Sequence, residues 1–209
     1  MNLDNYYYIF EEVLTEKFCD DLIQYGEEQT QEIALTGNFD GSPSKITNEK
    51  DLSKLYKTRN SSIIWMNEPW IYRQIHPYIN EANKICNWNF DWEFSESAQW
   101  TKYSKSQHYT WHQDAFNKPY NRPRSLDHGL VRKLSVTVSL EDGDRYEGGD
   151  LEFSIEGDKY NTNKIITAKE ARKKGTITIF PSFVWHRVTP VTQGTRYSLV
   201  VWNLGFPFR

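Results

Sequence analysis

Arg132-Lys133-Leu134-Ser135-Val136-Thr137-Val138-Ser139-Leu140 is the stretch that decides the fold class. Leu134, Val136, Val138 and Leu140 alternate with Lys133, Ser135, Thr137 and Ser139. A period of two places one set on each face of an extended chain, the pattern of a half-buried strand. Downstream, Glu141-Asp142-Gly143-Asp144 reads as a turn, and Gly148-Gly149 lead into a strand Leu151-Glu152-Phe153. Gly175-Thr176-Ile177-Thr178-Ile179-Phe180 reads as a strand ended by Pro181, and residues 197–202 as the last one. Upstream, Phe90, Trp92 and Phe94 alternate, and Ala98, Trp100 and Lys102 continue the extended pattern. Many short strands with turn signals between them predict a mainly β sandwich or barrel. Two longer insertions, 116–131 and 156–174, interrupt it.

The first part of the chain adds helices. Tyr6-Tyr7-Tyr8-Ile9-Phe10 reads as a strand, and Thr15 caps a segment with Phe18, Leu22 and Tyr25 at helical spacing. Residues 36–53, with Gly37, Gly41 and Pro43, read as a polar loop without chemistry of its own. Ser62-Ile63-Ile64-Trp65 is a short strand. Asn67 then caps a helix with Pro69 in its first turn and a stripe of Trp70, Ile71, Gln74, Ile75, Tyr78, Ile79 and Ala82. Pro77 predicts a kink or a division into two short helices. These helices are expected to support the sheet from outside.

Length and composition narrow the function classes. At 209 residues the chain predicts one domain with a proper core. A net charge of −3 gives no basic footprint for nucleic acid or membrane. Cys19 and Cys86 lack metal-type spacing and predict a reducing compartment without disulfides. The N-terminus lacks the pattern of a signal peptide, and no apolar run is long enough to span a bilayer. Eight Trp among 15% aromatics suit a β-rich core or an aromatic-walled pocket.

The chemistry concentrates in Trp111-His112-Gln113-Asp114, His186 and Arg196. On an extended backbone His112 and Asp114 point to one face. With His186 they would present two imidazoles and one carboxylate to one side of a metal, the ligand set of non-haem Fe(II) oxygenases. In that chemistry the open side takes a 2-oxo acid and dioxygen. The far carboxylate of the oxo acid then needs a fixed cation, and Arg196 offers a planar fork that binds carboxylate bidentately. Arg196 shares a strand face with Ser198, Val200 and Trp202.

Several motifs in order resemble the 2-oxoglutarate- and Fe(II)-dependent dioxygenases of the prolyl-4-hydroxylase type. Residues Tyr103, Tyr109, His112 and Asp114 match a Tyr-x-x-Gly-x-x-Tyr-x-x-His-x-Asp segment, with Ser106 in place of the Gly. Arg132-Lys133-Leu134-Ser135, Tyr146-Glu147-Gly148-Gly149-Asp150-Leu151-Glu152-Phe153, Phe180-Pro181-Ser182 with His186-Arg187-Val188-Thr189-Pro190-Val191, and Gly194-Thr195-Arg196-Tyr197-Ser198-Leu199 with Trp202 match further segments. The resemblance spans residues 100–204 and leans toward the bacterial and phage branch. It implies a double-stranded β-helix (jelly-roll, cupin-like) core over residues 88–209, with 1–87 as helical support and flanking strands of the same domain. It implies Fe(II) on His112, Asp114 and His186, and 2-oxoglutarate on Arg196, with Tyr103, Trp202 and Ser198 around it. O2 is then a co-substrate, ascorbate a candidate reductant, and the cytoplasm of a bacterial cell or phage-infected host the expected location.

Other residues carry competing readings. Tyr109 lines the pocket or fills the core. Trp111 and Trp185, each beside a ligand His, turn away from the metal by parity and pack. His108 takes a rim position or supports a ligand. His76 and His128 are expected at the surface. Arg122, Arg124 and Arg132 make the 116–131 insertion basic, either as a solvated face or as a receiver of substrate at the mouth.

The expected function is therefore hydroxylation of a C–H bond on a prolyl or other residue of a peptide, releasing succinate and CO2. One alternative keeps the cofactors and acts on a free amino acid, small metabolite or nucleobase. Another, from a different class, is a jelly-roll binding module without turnover. Asp114 argues against halogenation, and Arg196 against a zinc hydrolase.

Overall fold

The computed structural model describes residues 5–37, 44–155 and 164–208. In chain order the elements are β1 (Tyr8–Phe10), α1 (Glu16–Glu28), β2 (Glu32–Ile33), α2 (Glu49–Thr58), β3 (Arg59–Asn60), β4 (Ser62–Met66) and α3 (Pro69–Ile85). Then follow β5 (Phe94–Ser95), β6 (Ala98–Tyr103), β7 (His108–His112), β8 (Val131–Ser139), β9 (Tyr146–Gly148), β10 (Leu151–Ser154) and β11 (Ile165–Thr167). A 3-10 turn at Lys169–Arg172 precedes β12 (Ile177–Pro181), β13 (Trp185–Val188), β14 (Val191–Gly194) and β15 (Arg196–Gly205). The fold is mainly β with helices near the N-terminus.

An eight-stranded sheet runs β1-β12-β8-β15-β6-β4-β2, with β5 beside β15, and a five-stranded sheet runs β11-β10-β13-β7-β3. The β14-β9 pair stands apart. Every described pairing is antiparallel, which lets short hairpins and corners connect the strands. The two sheets face each other: Phe153 of β10 meets Phe180 of β12 edge-to-face at 5.0 Å.

The alternation along β8 explains both faces of the large sheet. Leu134, Val136 and Val138 are fully buried in one cluster with Phe18 and Leu22 of α1 and Ile71, Ile75 and Ile79 of α3. Each such side chain contributes roughly 1.5–3 kcal/mol by leaving water. Ser135, Thr137 and Ser139 point the other way, toward the small sheet, and are buried too. The helices thus back the sheet from outside, as the sequence predicts. Thr15 caps α1 by accepting from the Phe18 N–H at 3.2 Å.

Several expectations need correction. Residues 49–53 of the expected loop instead open α2, which runs to Thr58; Asn48 caps it by accepting from Asp51 N–H, but only Leu55 is buried, so its apolar stripe is thin. Residues 38–43 of the expected loop, with Gly41 and Pro43, and residues 156–163 of the second insertion lie outside the described residues. Glu68, not Asn67, occupies the cap position of α3, without a side-chain bond. The same helix runs unbroken through Pro77. Pro77 lies on the exposed face, where water can satisfy the carbonyl it leaves free, while Ile75 and Ile79 hold the opposite face in the core. Residues 88–93 are irregular, and only Phe94–Ser95 of that alternating stretch pair as a strand. Trp88 and Phe90 instead enter the core from that irregular segment, which follows positive-φ Asn87 and contains positive-φ Asn89. His76 is part-buried: it bonds the Ser95 hydroxyl at 2.9 Å and packs edge-on against Trp92. His128 is at the surface, as expected. No helix among the described residues is long and apolar enough to cross a membrane.

Candidate active site

His112 ends β7, and its Cα partner across the ladder is His186 of β13. Asp114 follows two residues later, where its N–H donates to the Ser182 carbonyl at 2.9 Å. The three side chains converge so that one ligating atom from each lies within 4.8 Å of the others. His112 Nε2 stands 3.7 Å from Asp114 Oδ1, and His186 Nε2 stands 3.5 Å from Asp114 Oδ2. These gaps exceed good hydrogen bonds and suit three atoms arranged around one ion.

The rings are oriented by the backbone. His112 Nδ1 lies 2.7 Å from the Thr110 carbonyl, and His186 Nδ1 lies 2.9 Å from the Val184 carbonyl. A carbonyl only accepts, so Nδ1 donates in both rings and the lone pair sits on Nε2, aimed at the shared point. Burial, then the neighbouring His186, holds His112 well below its ordinary pKa, which keeps it neutral. Burial opposes ionisation of Asp114, yet His186, His112, Arg132 and the Ser135 hydroxyl bring its pKa below the ordinary carboxylate value. Two neutral nitrogens and one carboxylate are the donor set that Fe(II) takes in oxygenases.

The same cavity, between the two sheets, is lined by Arg196, Ser198, Tyr103, Tyr109 and Trp202 along with the triad. Arg196 opens β15 and is only 4% exposed. Its Nη1 donates to Ser198 Oγ at 3.1 Å, and its guanidinium lies 5.4 Å from the centre of the Tyr103 ring. Buried with a hydroxyl and an aromatic face for neighbours, this cation favours an anion in the cavity. The indole Nε1 of Trp202 is also buried without a protein partner. Tyr109 stacks on the His112 ring at 3.5 Å between centroids, and burial pushes its hydroxyl up to about 12, so it stays a donor at neutral pH.

Outward, the cavity opens into a groove of about 1190 Å3 that His112 and Asp114 still border. Trp111 and Trp185 line this groove as well; Trp111 also takes the Arg187 guanidinium over its ring at 4.8 Å. Arg122 lines the groove and pairs with Asp127 at 2.5 Å. Arg124 is exposed at φ 73° and does not line the cavity or the groove. His108 also stays out of the cavity; its ring nitrogens lie 3.2 Å from the Ser106 carbonyl and 3.3 Å from the Lys57 carbonyl. Arg132 is no part of a basic surface: Glu96 grips it through Nε at 2.9 Å and Nη2 at 2.6 Å, and Trp202 lies under it at 3.9 Å. Sequence reading missed Arg59, which is buried and lies 4.6 Å over Tyr109, and Glu96, which also accepts from the Tyr120 hydroxyl at 2.7 Å. It missed Gln99 too, although its place between core-facing Ala98 and Trp100 was the available signal.

The family model described as 2OG-Fe(II) oxygenase superfamily matches residues 98–203, about half of the chain. The chain belongs to the 2OG-Fe(II) oxygenase superfamily. As a member of that superfamily it carries the triad inside the matched stretch, from β6 through β15. Among curated relatives, a PKHD-type hydroxylase of Shewanella sp. strain ANA-3 is 37% identical over 83 residues, which are 39% of this chain and 34% of that one. A PKHD-type hydroxylase of Xylella fastidiosa strain M12 is 33% identical over 107 residues, 50% of this chain and 42% of that one. The chain thus matches well under half the length of these relatives. Among solved structures, the viral collagen prolyl hydroxylase of Paramecium Bursaria Chlorella virus-1 superposes with a TM-score of 0.64 at 20% identity, covering 97% of both chains. A Pseudomonas putida prolyl-4-hydroxylase gives 0.59 at 16% identity, covering 96% of this chain and 92% of that one. At such identities the superpositions establish shared fold.

Proposed function

We propose that this chain is a 2-oxoglutarate- and Fe(II)-dependent dioxygenase that hydroxylates a C–H bond on a prolyl or other residue of a peptide. The carrying observation is that the triad and the buried Arg196 line one cavity between the two sheets. We read that two-sheet arrangement as the double-stranded β-helix core of the superfamily, a reading supported by the superposition on the viral prolyl hydroxylase.

In this reading His112, Asp114 and His186 hold Fe(II). Bound there, the metal supplies the oxygen chemistry that couples loss of CO2 from the oxo acid to attack on a C–H bond. The chain's own residues set the stage. Arg196 takes the distal carboxylate of 2-oxoglutarate, with Ser198, Tyr103 and Trp202 completing the wall. Thr110 and Val184 carbonyls hold the two imidazoles in register. Tyr109 covers one face of His112 and keeps water from it. A groove of about 1190 Å3 exceeds the usual small-molecule pocket, which favours a polypeptide over a free amino acid. The PKHD-type name of the relatives supports a hydroxylase. No residue is assigned to ascorbate.

The test has two stages. Anaerobic protein with Fe(II) and 2-oxoglutarate should show a weak visible charge-transfer band that disappears in His112→Ala. Succinate release should then rise with proline-containing peptides. Release with a free amino acid, small metabolite or nucleobase alone would reassign the substrate, and neither band nor succinate would leave a binding module.

A further inference from the structure

Arg172 does not line the cavity, yet its guanidinium makes four polar contacts. It closes the 3-10 turn Lys169–Arg172. Its Nη2 donates to the Gly143 and Tyr146 carbonyls, both at 2.6 Å. Its Nη1 donates to the Gly148 carbonyl and to Asp150 Oδ1, both at 2.7 Å. The guanidinium also sits 4.4 Å from the centre of the Tyr146 ring. One planar fork therefore fixes three carbonyls, a carboxylate and an aromatic face, all within residues 143–150. A Cβ on Gly143 would come 2.6 Å from Arg172 Cβ, so this approach needs glycine there.

The other side of the same segment touches Arg196. Gly149 has φ 65°, and a Cβ there would lie 3.0 Å from Arg196 Cδ and 3.3 Å from Tyr146 Cε2. The stem of Arg196 thus runs against the bare backbone of Gly149, beside the Tyr146 ring that Arg172 covers. A second route is the main chain. Tyr146 of β9 pairs with Gly194 of β14, two residues before Arg196. Both routes start from groups that Arg172 holds.

We propose that Arg172 is a positioning residue for Arg196: it clamps the 143–150 segment so that Gly149 and Tyr146 aim the Arg196 guanidinium into the cavity. The inference rests on the reading of Arg196 as the 2-oxoglutarate anchor. Without the clamp the wall behind Arg196 loosens, and the carboxylate meets a cation that must first be ordered. None of the groups that Arg172 contacts is a metal ligand, and Asp150 stands three residues before Phe153, the β10 partner of His186, so metal affinity should not respond.

The test uses the full chain, anaerobic, with Mn(II) in place of Fe(II), and calorimetric titration of Mn(II) and then of 2-oxoglutarate. Tm is recorded for each variant, and titrations are run well below it. Arg172→Gln should raise the Kd for 2-oxoglutarate about 10-fold while leaving Mn(II) affinity unchanged. Asp150→Asn, which keeps the three carbonyl bonds, should show a smaller rise in the same direction. Arg196→Ala should weaken 2-oxoglutarate more than either. An unchanged Kd in Arg172→Gln despite a lowered Tm makes the residue a staple and overturns the proposal, as does a parallel loss of Mn(II) affinity. Where Arg172→Gln fails to fold, an unchanged Kd in Asp150→Asn overturns it. Unaltered 2-oxoglutarate binding in Arg196→Ala sinks the anchor reading itself, a distinct result.

Discussion

His112 and His186 are direct cross-strand partners on β7 and β13, and the register between those strands shifts between this pair and the neighbouring Tyr109–Val188 pair. Their ring centroids lie 4.1 Å apart. A slip of one residue in this ladder would turn one imidazole to the outer face, because side chains alternate along a strand. The pairing therefore carries the metal site. His186→Ala should weaken Mn(II) or Co(II) binding by more than about 100-fold, beyond what loss of an outer partner costs. Metal titration followed by absorbance checks this, and retained binding would place the site elsewhere.

Arg132 and Glu96 form a two-pronged ion pair with side-chain exposures of 12% and 16%. Removing one partner leaves a charge in a poor solvent. Glu96→Gln or Arg132→Met should each cost roughly 3 kcal/mol in urea denaturation. The double variant Glu96→Leu with Arg132→Met should recover part of that loss. Additive losses in the double variant would show that the two residues act separately.

Gly26→Ala would improve helix propensity on an exposed surface. Here the added methyl would run into the indole of fully buried Trp100. Helix α1 would have to lift from the sheet, and the expected cost is about 1–3 kcal/mol. Thermal unfolding decides it, and an unchanged or raised Tm would contradict the close approach.

Glu27 ties α1 to the sheet: its Oε1 takes Lys102 Nζ at 2.7 Å and the Tyr197 hydroxyl at 2.8 Å. Burial works against its charge, but the bonds from Lys102 and Tyr197 prevail and bring its pKa below the ordinary value of 4.5. A carboxylate with a folded-state pKa below the unfolded one contributes stability above the unfolded pKa and loses it as pH falls through the folded one. Below pH 4.5 the wild type should therefore lose stability more steeply than Glu27→Gln. Matching acid limbs in a Tm-against-pH series would exclude this linkage.

The strands of the core were legible because their signal is local. Leu134, Val136 and Val138 announce a buried face by spacing alone, and Thr15 announces the start of α1. Helix α2 was not legible, since a single buried Leu55 leaves almost no periodic pattern. Pro77 misled for the opposite reason. Its local penalty was real, but burial of Ile75 and Ile79 outweighs it when the proline faces water. At the site, His112 and Asp114 could be read from parity, and His186 and Arg196 from the family pattern around them. Arg132, Arg59 and Arg172 looked like surface cations or escaped notice, because their partners Glu96, Tyr109 and Asp150 lie far off in the chain and only the tertiary fold brings them together.

By itself the sequence determined a β-rich core, its helical backing and the residue types able to hold a metal and an oxo acid. Those follow from periods and chemical identities that neighbouring residues carry. Only the tertiary structure decided that the two histidines face each other, that Arg196 is buried beside them, and that Arg132 is paired and not free. Register between strands is a non-local property: it depends on which surfaces bury each other, and no stretch of chain contains that information alone.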